Sequence, residues 1–219
     1  MGQDGPRLPS GLRSKIMLYI CTLDEIKANL GVDDAQDDEH LTRRMEALQG
    51  RFENHCNRDF LLADGVTMYF NGGDTALYVQ RFPIVSITSI AIDGDQDWEN
   101  NLLDSDGYRP ELGIGKIWYG HGSSRWPGGI QNIRTIHRGG YVAAGSTPGT
   151  GETAMPEGLR RAFFMQIEFE WRNKESLGVN QVSAQGVSVQ QGAQVSLALK
   201  NRTFVPEVET SLQPYIRYV

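Results

Sequence analysis

The sequence is poor in cysteine, in long apolar runs and in positive charge, and each shortage excludes a class of protein. Two cysteines among 219 residues are too few for a disulfide scaffold or a cysteine-based zinc site. No apolar run reaches the roughly 18 residues that a transmembrane helix needs, so we expect no membrane partner. With 21 basic and 27 acidic residues, the net charge is −6, whereas proteins that grip nucleic acid through its phosphates are normally basic.

The sequence also lacks a recognisable catalytic, metal or cofactor motif. Four histidines occur, and no pair of them has the spacing of metal ligands. The acidic run at residues 93–99 resembles the start of a calcium loop, but Trp98 stands where glycine is required and Asp104 where glutamate is required. The glycine-rich residues 120–124 do not form the elbow of a serine hydrolase. We therefore predict a protein that is not an enzyme and binds no cofactor.

Helical patterns occur at both ends of the chain. Thr22 and Glu25 have the spacing of a capping box, and Gly31 is a typical residue to end a helix. Together they predict a short helix from Thr22 to Gly31. A second helix is predicted from Asp38 to about Asn57, because five apolar residues recur there every three or four positions. These residues are Leu41, Met45, Leu48, Phe52 and Cys56. Further helices are predicted over residues 156–174 and from Pro206 onwards.

The middle of the chain has the shorter period of β-strands. Residues 66–70 and 76–80 flank a glycine turn and predict a β-hairpin. Residues 84–92 form a strongly apolar strand after Pro83, and residues 114–119 and 130–137 are further strand candidates. The predicted fold class is therefore α+β: a small helical bundle with an inserted antiparallel β-unit and extended N- and C-terminal arms.

The predicted organisation has five parts. The N-terminal arm has too few large apolar residues to order itself, and the low-complexity segment near the C-terminus allows either a flexible loop or a β-ribbon. The parts are an N-terminal arm (1–16), a helical core (17–63 and 152–175), an inserted β-rich unit (64–151), the loop or ribbon (176–203) and a C-terminal helix or arm (204–219).

Two other classes of protein compete for the same features. Trp98, Trp118 and Trp126 lie in or near turns of the β-unit and could form a sugar-binding surface, although hairpin packing explains them equally well. A β-rich carbohydrate- or receptor-binding module is therefore the alternative function. A small hydrolase would have to use the carboxylates of residues 93–99, and we rank it last.

Several short motifs follow one another in a characteristic order along the chain. A short helix ends in Leu30-Gly31, and the second helix closes on an Arg-Asp-Phe sequence. A Phe-Pro-Ile strand, an aspartate-glycine turn and a Gly-Gly-Tyr sequence follow before the next helix. These segments are residues 23–31, 38–60, 82–87, 93–94, 139–141, 155–159 and 215–217. Their order resembles that of the head–tail connector, or adaptor, proteins of tailed bacteriophages and gene transfer agents.

This resemblance implies a structural virion protein of the neck, made in the bacterial host cytoplasm. Copies of such proteins form a ring, usually a dodecamer, that docks under the portal protein. The ring extends the DNA channel, so that genomic DNA passes through without specific binding. It also offers a platform for tail attachment through the next neck or tail component, a stopper or a tail terminator.

Two sets of residues are candidates for contacts in such an assembly. The terminal segment carries more apolar surface than a short helix can bury on itself, which predicts a contact with the portal or a neighbouring subunit; docking on its own core is the open alternative. An acidic segment near the N-terminus predicts a channel wall that repels DNA phosphates. The residues for the first contact are Phe204, Leu212, Tyr215 and Tyr218, and those for the second are Asp33, Asp34, Asp37 and Asp38.

Overall fold

The computed structural model describes residues 19–94, 98–120, 124–173 and 203–217. Within these ranges it has four α-helices: α1 (Leu23–Leu30), α2 (Asp38–Cys56), α3 (Glu157–Arg172) and α4 (Pro206–Leu212). Its strands are β1 (Ala63–Phe70), β2 (Ala76–Tyr78), β3 (Ile84–Ile92), β4 (Tyr108–Glu111), β5 (Lys116–Tyr119), β6 (Ile133–Gly139), β7 (Tyr141–Val142) and β8 (Thr153–Ala154). The α+β class is confirmed. The predicted arm at 1–16 and residues 176–202 lie outside the described residues.

Helix α1 begins at the predicted capping box. The Glu25 amide donates to Thr22 Oγ1 at 3.2 Å, and the Thr22 amide donates to Glu25 Oε2 at 2.9 Å. These two bonds satisfy amides that have no partner within the helix. Gly31 ends the helix in the left-handed region at φ 67°, where a residue without a Cβ pays no steric penalty.

Helices α2 and α3 pack together and form the centre of a helical core. All five apolar stripe residues of α2 are buried, and so are Leu159, Phe163 and Ile167 of α3. The Phe52 and Phe163 rings meet edge to face with centroids 5.6 Å apart, a preferred aromatic geometry. The packing of these two helices is thus as their apolar stripes predict.

Both cysteines are buried free thiols in this helical core. Burial raises the pKa of the Cys21 thiol to about 12 and that of the Cys56 thiol to about 11. A thiol with so high a pKa carries almost no thiolate at neutral pH, and thiolate is the reactive form. Cys21 and Cys56 are therefore packing residues.

Six strands form two three-stranded antiparallel sheets, ordered β1-β6-β3 and β2-β5-β4, and β7 and β8 form a short parallel pair. The predicted hairpin over residues 66–80 is wrong, because β1 pairs with β6 and β2 pairs with β5. The glycine turn between β1 and β2 instead contacts the loop before β6. The Gly72 amide donates to Gly129 O and to Asn132 Oδ1, both at 2.9 Å. A Cβ on Gly72 would lie 1.6 Å from Pro127 O, so the glycine permits a close backbone approach.

The inner faces of the two sheets enclose a second apolar core, separate from the helical one. Its buried members come from both sheets and from the loop before β6. They are Leu77, Val79, Ile84, Ile90, Ile117, Trp126 and Ile133. Two modest cores, rather than one large core, therefore hold the described residues together.

Arginines join the helical core to the sheets. The Arg58 side chain is 4% exposed, its guanidinium lies 3.3 Å from the centroid of the Phe82 ring, and it donates to Phe82 O. Burial lowers the pKa of Arg58. Arg81 pairs with Asp59 at 2.8 Å. These charge-assisted contacts orient the β-unit on the helices.

Candidate functional site

The C-terminal segment docks on its own helical core. Phe204 is 2% exposed, and its ring lies edge-on to Phe52 with centroids 5.2 Å apart. The Val205 amide donates to Gln166 Oε1 at 3.0 Å, which fixes the chain just before α4. Val208 and Leu212 of α4 are fully buried. Phe204 and Leu212 are therefore core residues of the single chain, the alternative that the sequence left open.

Beyond α4 the chain crosses from the helical core to the sheets. Tyr215 is half-buried, its ring lies 6.5 Å from that of Phe60, and burial raises its pKa. The Arg217 amide donates to Cys56 O at 2.9 Å, and its guanidinium donates to Tyr78 O of β2 at 2.6 Å. Tyr218 lies outside the described residues. Contact of this segment with a portal or a neighbouring subunit stays a prediction.

The four aspartates of the acidic segment have different surroundings. Asp33 and Asp34 are exposed, and Asp34 Oδ1 accepts from the Gln36 amide at 2.9 Å, capping a short 3-10 helix. Asp38 pairs with Lys27 at 2.6 Å, and hydrogen bonding to Asp38 raises the pKa of Lys27. Asp37 precedes α2 and makes no side-chain cap. That these residues face a channel stays a prediction.

The three tryptophans of the sugar-binding alternative do not share one surface. Trp126 is 1% exposed and lies between the sheets, where its indole donates to Ile117 O at 3.3 Å. Trp118 lies on β5, whereas the Trp98 ring lies tilted at 57° beside Tyr69 of the other sheet, with centroids 5.6 Å apart. A carbohydrate platform needs its aromatic faces exposed together. This arrangement does not favour the alternative.

The described residues contain no group of three or more histidine, cysteine, aspartate or glutamate side chains that could hold a metal ion. Two carboxylates of the calcium-loop candidate, at positions 95 and 97, lie outside them. No helix in the described ranges is long and apolar enough to cross a membrane. A polar groove of about 320 Å³ lies at the end of α2. Burial raises the pKa of its Glu53, which also accepts a hydrogen bond from the Phe60 amide at 3.4 Å.

A surface that the sequence reasoning missed lies on the β4–β5 hairpin. Leu112 and Ile114 are exposed in the turn between the strands. On the adjoining strand, the Lys116 ammonium lies 3.6 Å from the centroid of the Trp118 ring, a cation–π contact. In the antiparallel pairing of β4 with β5, Arg109 lies opposite Trp118. The apolar pair within a glycine-rich turn was the available signal in the sequence.

This chain is similar to known proteins in its structure. No protein-family model and no curated protein sequence matches it significantly. A chain from the virion of a native gene transfer agent (GTA) particle is 13% identical, with a TM-score of 0.56 over 93% of this chain and 94% of that one. The chain shares its fold with gene transfer agent chains. A second such chain, from the neck of an empty GTA particle computed with C6 symmetry, is 12% identical, with a TM-score of 0.54 over 91% of each chain.

The likeness to gene transfer agent chains extends over nearly the full length of both partners. It therefore includes the helical core and the β-unit together. At this low identity the likeness is one of fold. It agrees with the family that the order of sequence motifs resembles.

Proposed function

We propose that the chain is a structural neck protein of a tailed, phage-like particle and acts as a ring-forming head–tail adaptor. One observation carries the proposal: the fold is shared with a chain of a gene transfer agent neck over 91% of both chains. Fold alone does not determine function. Here, however, the motif order in the sequence independently resembles the connector family.

Symmetry supports a ring. The neck structure that contains the similar chain was computed with C6 symmetry. A symmetric ring requires each subunit to present two different, complementary surfaces to its neighbours. We infer that copies of this chain form such a ring, with twelve copies as the expected number. The ring would dock under the portal protein, extend the DNA channel and carry the next neck or tail component.

The charge of the chain supports passage of DNA without specific binding. A net charge of −6 opposes neutralisation of many phosphates, which tight duplex binding requires. An acidic inner wall would let the genome slide. Synthesis in the host cytoplasm suits the two free buried thiols, because disulfides are rare in reducing compartments.

Mass measurement tests the proposal directly. The full chain is purified alone and together with its candidate portal protein, and both samples are analysed by native mass spectrometry. We expect a portal complex that contains a whole ring of this chain. A chain that stays monomeric in both samples, or a particle that lacks it in the neck, would contradict the adaptor role. An unrelated portal of the same symmetry is the control.

A further inference from the structure

The exposed large apolar side chains of the described residues all lie in the β-unit. Two of these side chains, Leu112 and Ile114, are 46% and 56% exposed and lie in a single turn, the 3-10 helix Leu112–Ile114 that joins β4 to β5. Exposed apolar clusters with polar surroundings mark interaction sites. The complete set of exposed large apolar residues is Tyr69, Leu102, Leu112, Ile114 and Ile130.

The backbone of the turn is held in place. Gly115 closes it at φ 67°, and the Val79 amide donates to Gly115 O at 2.9 Å. A Cβ on Gly115 would lie 2.8 Å from Phe82 Cβ, so only glycine lets the turn lie so close to the Phe82 side chain. Leu112 and Ile114 are thus presented on a fixed backbone, which lowers the entropic cost of binding.

Two cations and one carboxylate flank this apolar pair, so residues 109–116 carry a net charge of +1. The carboxylate, Glu111, accepts a hydrogen bond from Trp118 Nε1 at 2.5 Å. Lys116 lies over Trp118 and 5.5 Å from the centroid of the Tyr78 ring, and Arg109 is exposed on the neighbouring strand. Among the ion pairs of the described residues, none involves Arg109 or Lys116. Arg109, Leu112, Ile114 and Lys116 together form the basic turn. Its chemistry fits an apolar patch bordered by carboxylates.

The helical core carries a surface of that kind at the end of α1. Leu30 and Val32 are half-buried there, and the exposed Asp33 and Asp34 follow them. Residues 24–39 hold seven acidic residues and one basic residue, and neither Asp33 nor Asp34 forms an ion pair within the described residues. Leu30, Val32, Asp33 and Asp34 together form the acidic corner.

We propose that the basic turn of one copy binds the acidic corner of the next copy around a ring. The apolar side chains would form the centre of the contact, and the opposite charges would form its rim. Because the two surfaces differ, each subunit uses both, as a closed ring demands. The contact rests on the proposed ring and adds which surfaces form it. It gives Asp33 and Asp34 a neighbouring subunit as partner in place of the channel.

Charge exchange tests the contact. Lys116→Glu or Asp33→Lys alone should weaken self-association of the full chain at least about tenfold, because like charges then face each other. An equimolar mixture of the two variants should assemble again in rings where the variants alternate. In such a ring the substituted turn meets the substituted corner and the unaltered turn meets the unaltered corner, so opposite charges face each other at every contact. Arg161→Glu and Asp74→Lys make the same charge changes at exposed positions outside both surfaces and should assemble like the unaltered chain. Self-association is measured by sedimentation velocity over a series of concentrations.

Zero-length cross-linking locates the contact. A carbodiimide joins an amine to a carboxylate that it touches, so a mixture of isotopically heavy and light chains should yield mixed-isotope links from Lys116 to Asp33 or Asp34. A ring whose cross-links lie elsewhere, or charge variants that assemble normally, would overturn this contact and leave the adaptor role intact. Absence of any self-association, alone and with portal, would overturn both.

Discussion

Removing the C-terminal segment tests whether this segment is part of the core or a free arm. A chain ending at residue 202 loses Phe204, Val208 and Leu212, which are all buried against α2 and α3. Full burial of such a side chain contributes about 1.5–3 kcal/mol, so the three together contribute roughly 5–9 kcal/mol. Domains are stable by only about 5–15 kcal/mol. We therefore expect the shortened chain to be largely unfolded.

Single substitutions in the same segment refine the prediction. Phe204→Ala should lower the free energy of unfolding by about 3–5 kcal/mol, because the Phe204 ring packs edge-on against Phe52 and against His55, with centroids 5.2 Å apart in both pairs. Glu207→Ala, at an exposed position of α4, should change it by less than about 0.5 kcal/mol. Urea unfolding followed by circular dichroism and tryptophan fluorescence measures all of these chains.

The refuting result is a shortened chain that unfolds at the same urea concentration as the full chain. Such a chain would show that residues 203–217 contribute nothing to the core. The segment would then be an arm, and the predicted contact of Phe204 and Leu212 with a portal would gain support. Loss of portal binding by a fully folded, shortened chain would establish that role.

Further outcomes are expected for the helical core, for pH, for metal removal and for DNA. Phe163→Ala should lower the free energy of unfolding, measured with urea, by about 3–5 kcal/mol. Phe164→Ala, at a half-buried position, should lower it clearly less, and equal losses would contradict the packing of α3. Burial lowers the pKa of His137, so the folded state favours the neutral ring. The free energy of unfolding should therefore fall as the pH drops below the pKa of a histidine in the unfolded state, about 6.5. A His137→Asn chain whose stability has the same pH slope between about pH 7.5 and 5.5 would refute this. Thermal melting should be unchanged by EDTA, since a stabilising metal would raise the melting temperature. Duplex DNA should bind weakly at moderate salt, and a steep salt dependence in a filter assay would contradict the acidic balance.

Local sequence patterns determined the helices of this protein. The spacing of Thr22 and Glu25 placed the start of α1, and the stripe from Leu41 to Cys56 placed α2 and its buried face. Pro206 placed the start of α4. These features depend on contacts three or four residues apart, so the sequence alone contains them. The order of its motifs also indicated the fold that is shared with gene transfer agent chains.

Tertiary structure decided the strand partners and the surfaces. A period of two residues shows that a segment is a strand but not which strand it pairs with, so β1 and β2 resembled a hairpin although each pairs with a distant strand. The burial of Phe204 and the exposure of Leu112 likewise depend on residues far along the chain. Such contacts are set by which surfaces can be buried together, and this is a property of the whole chain.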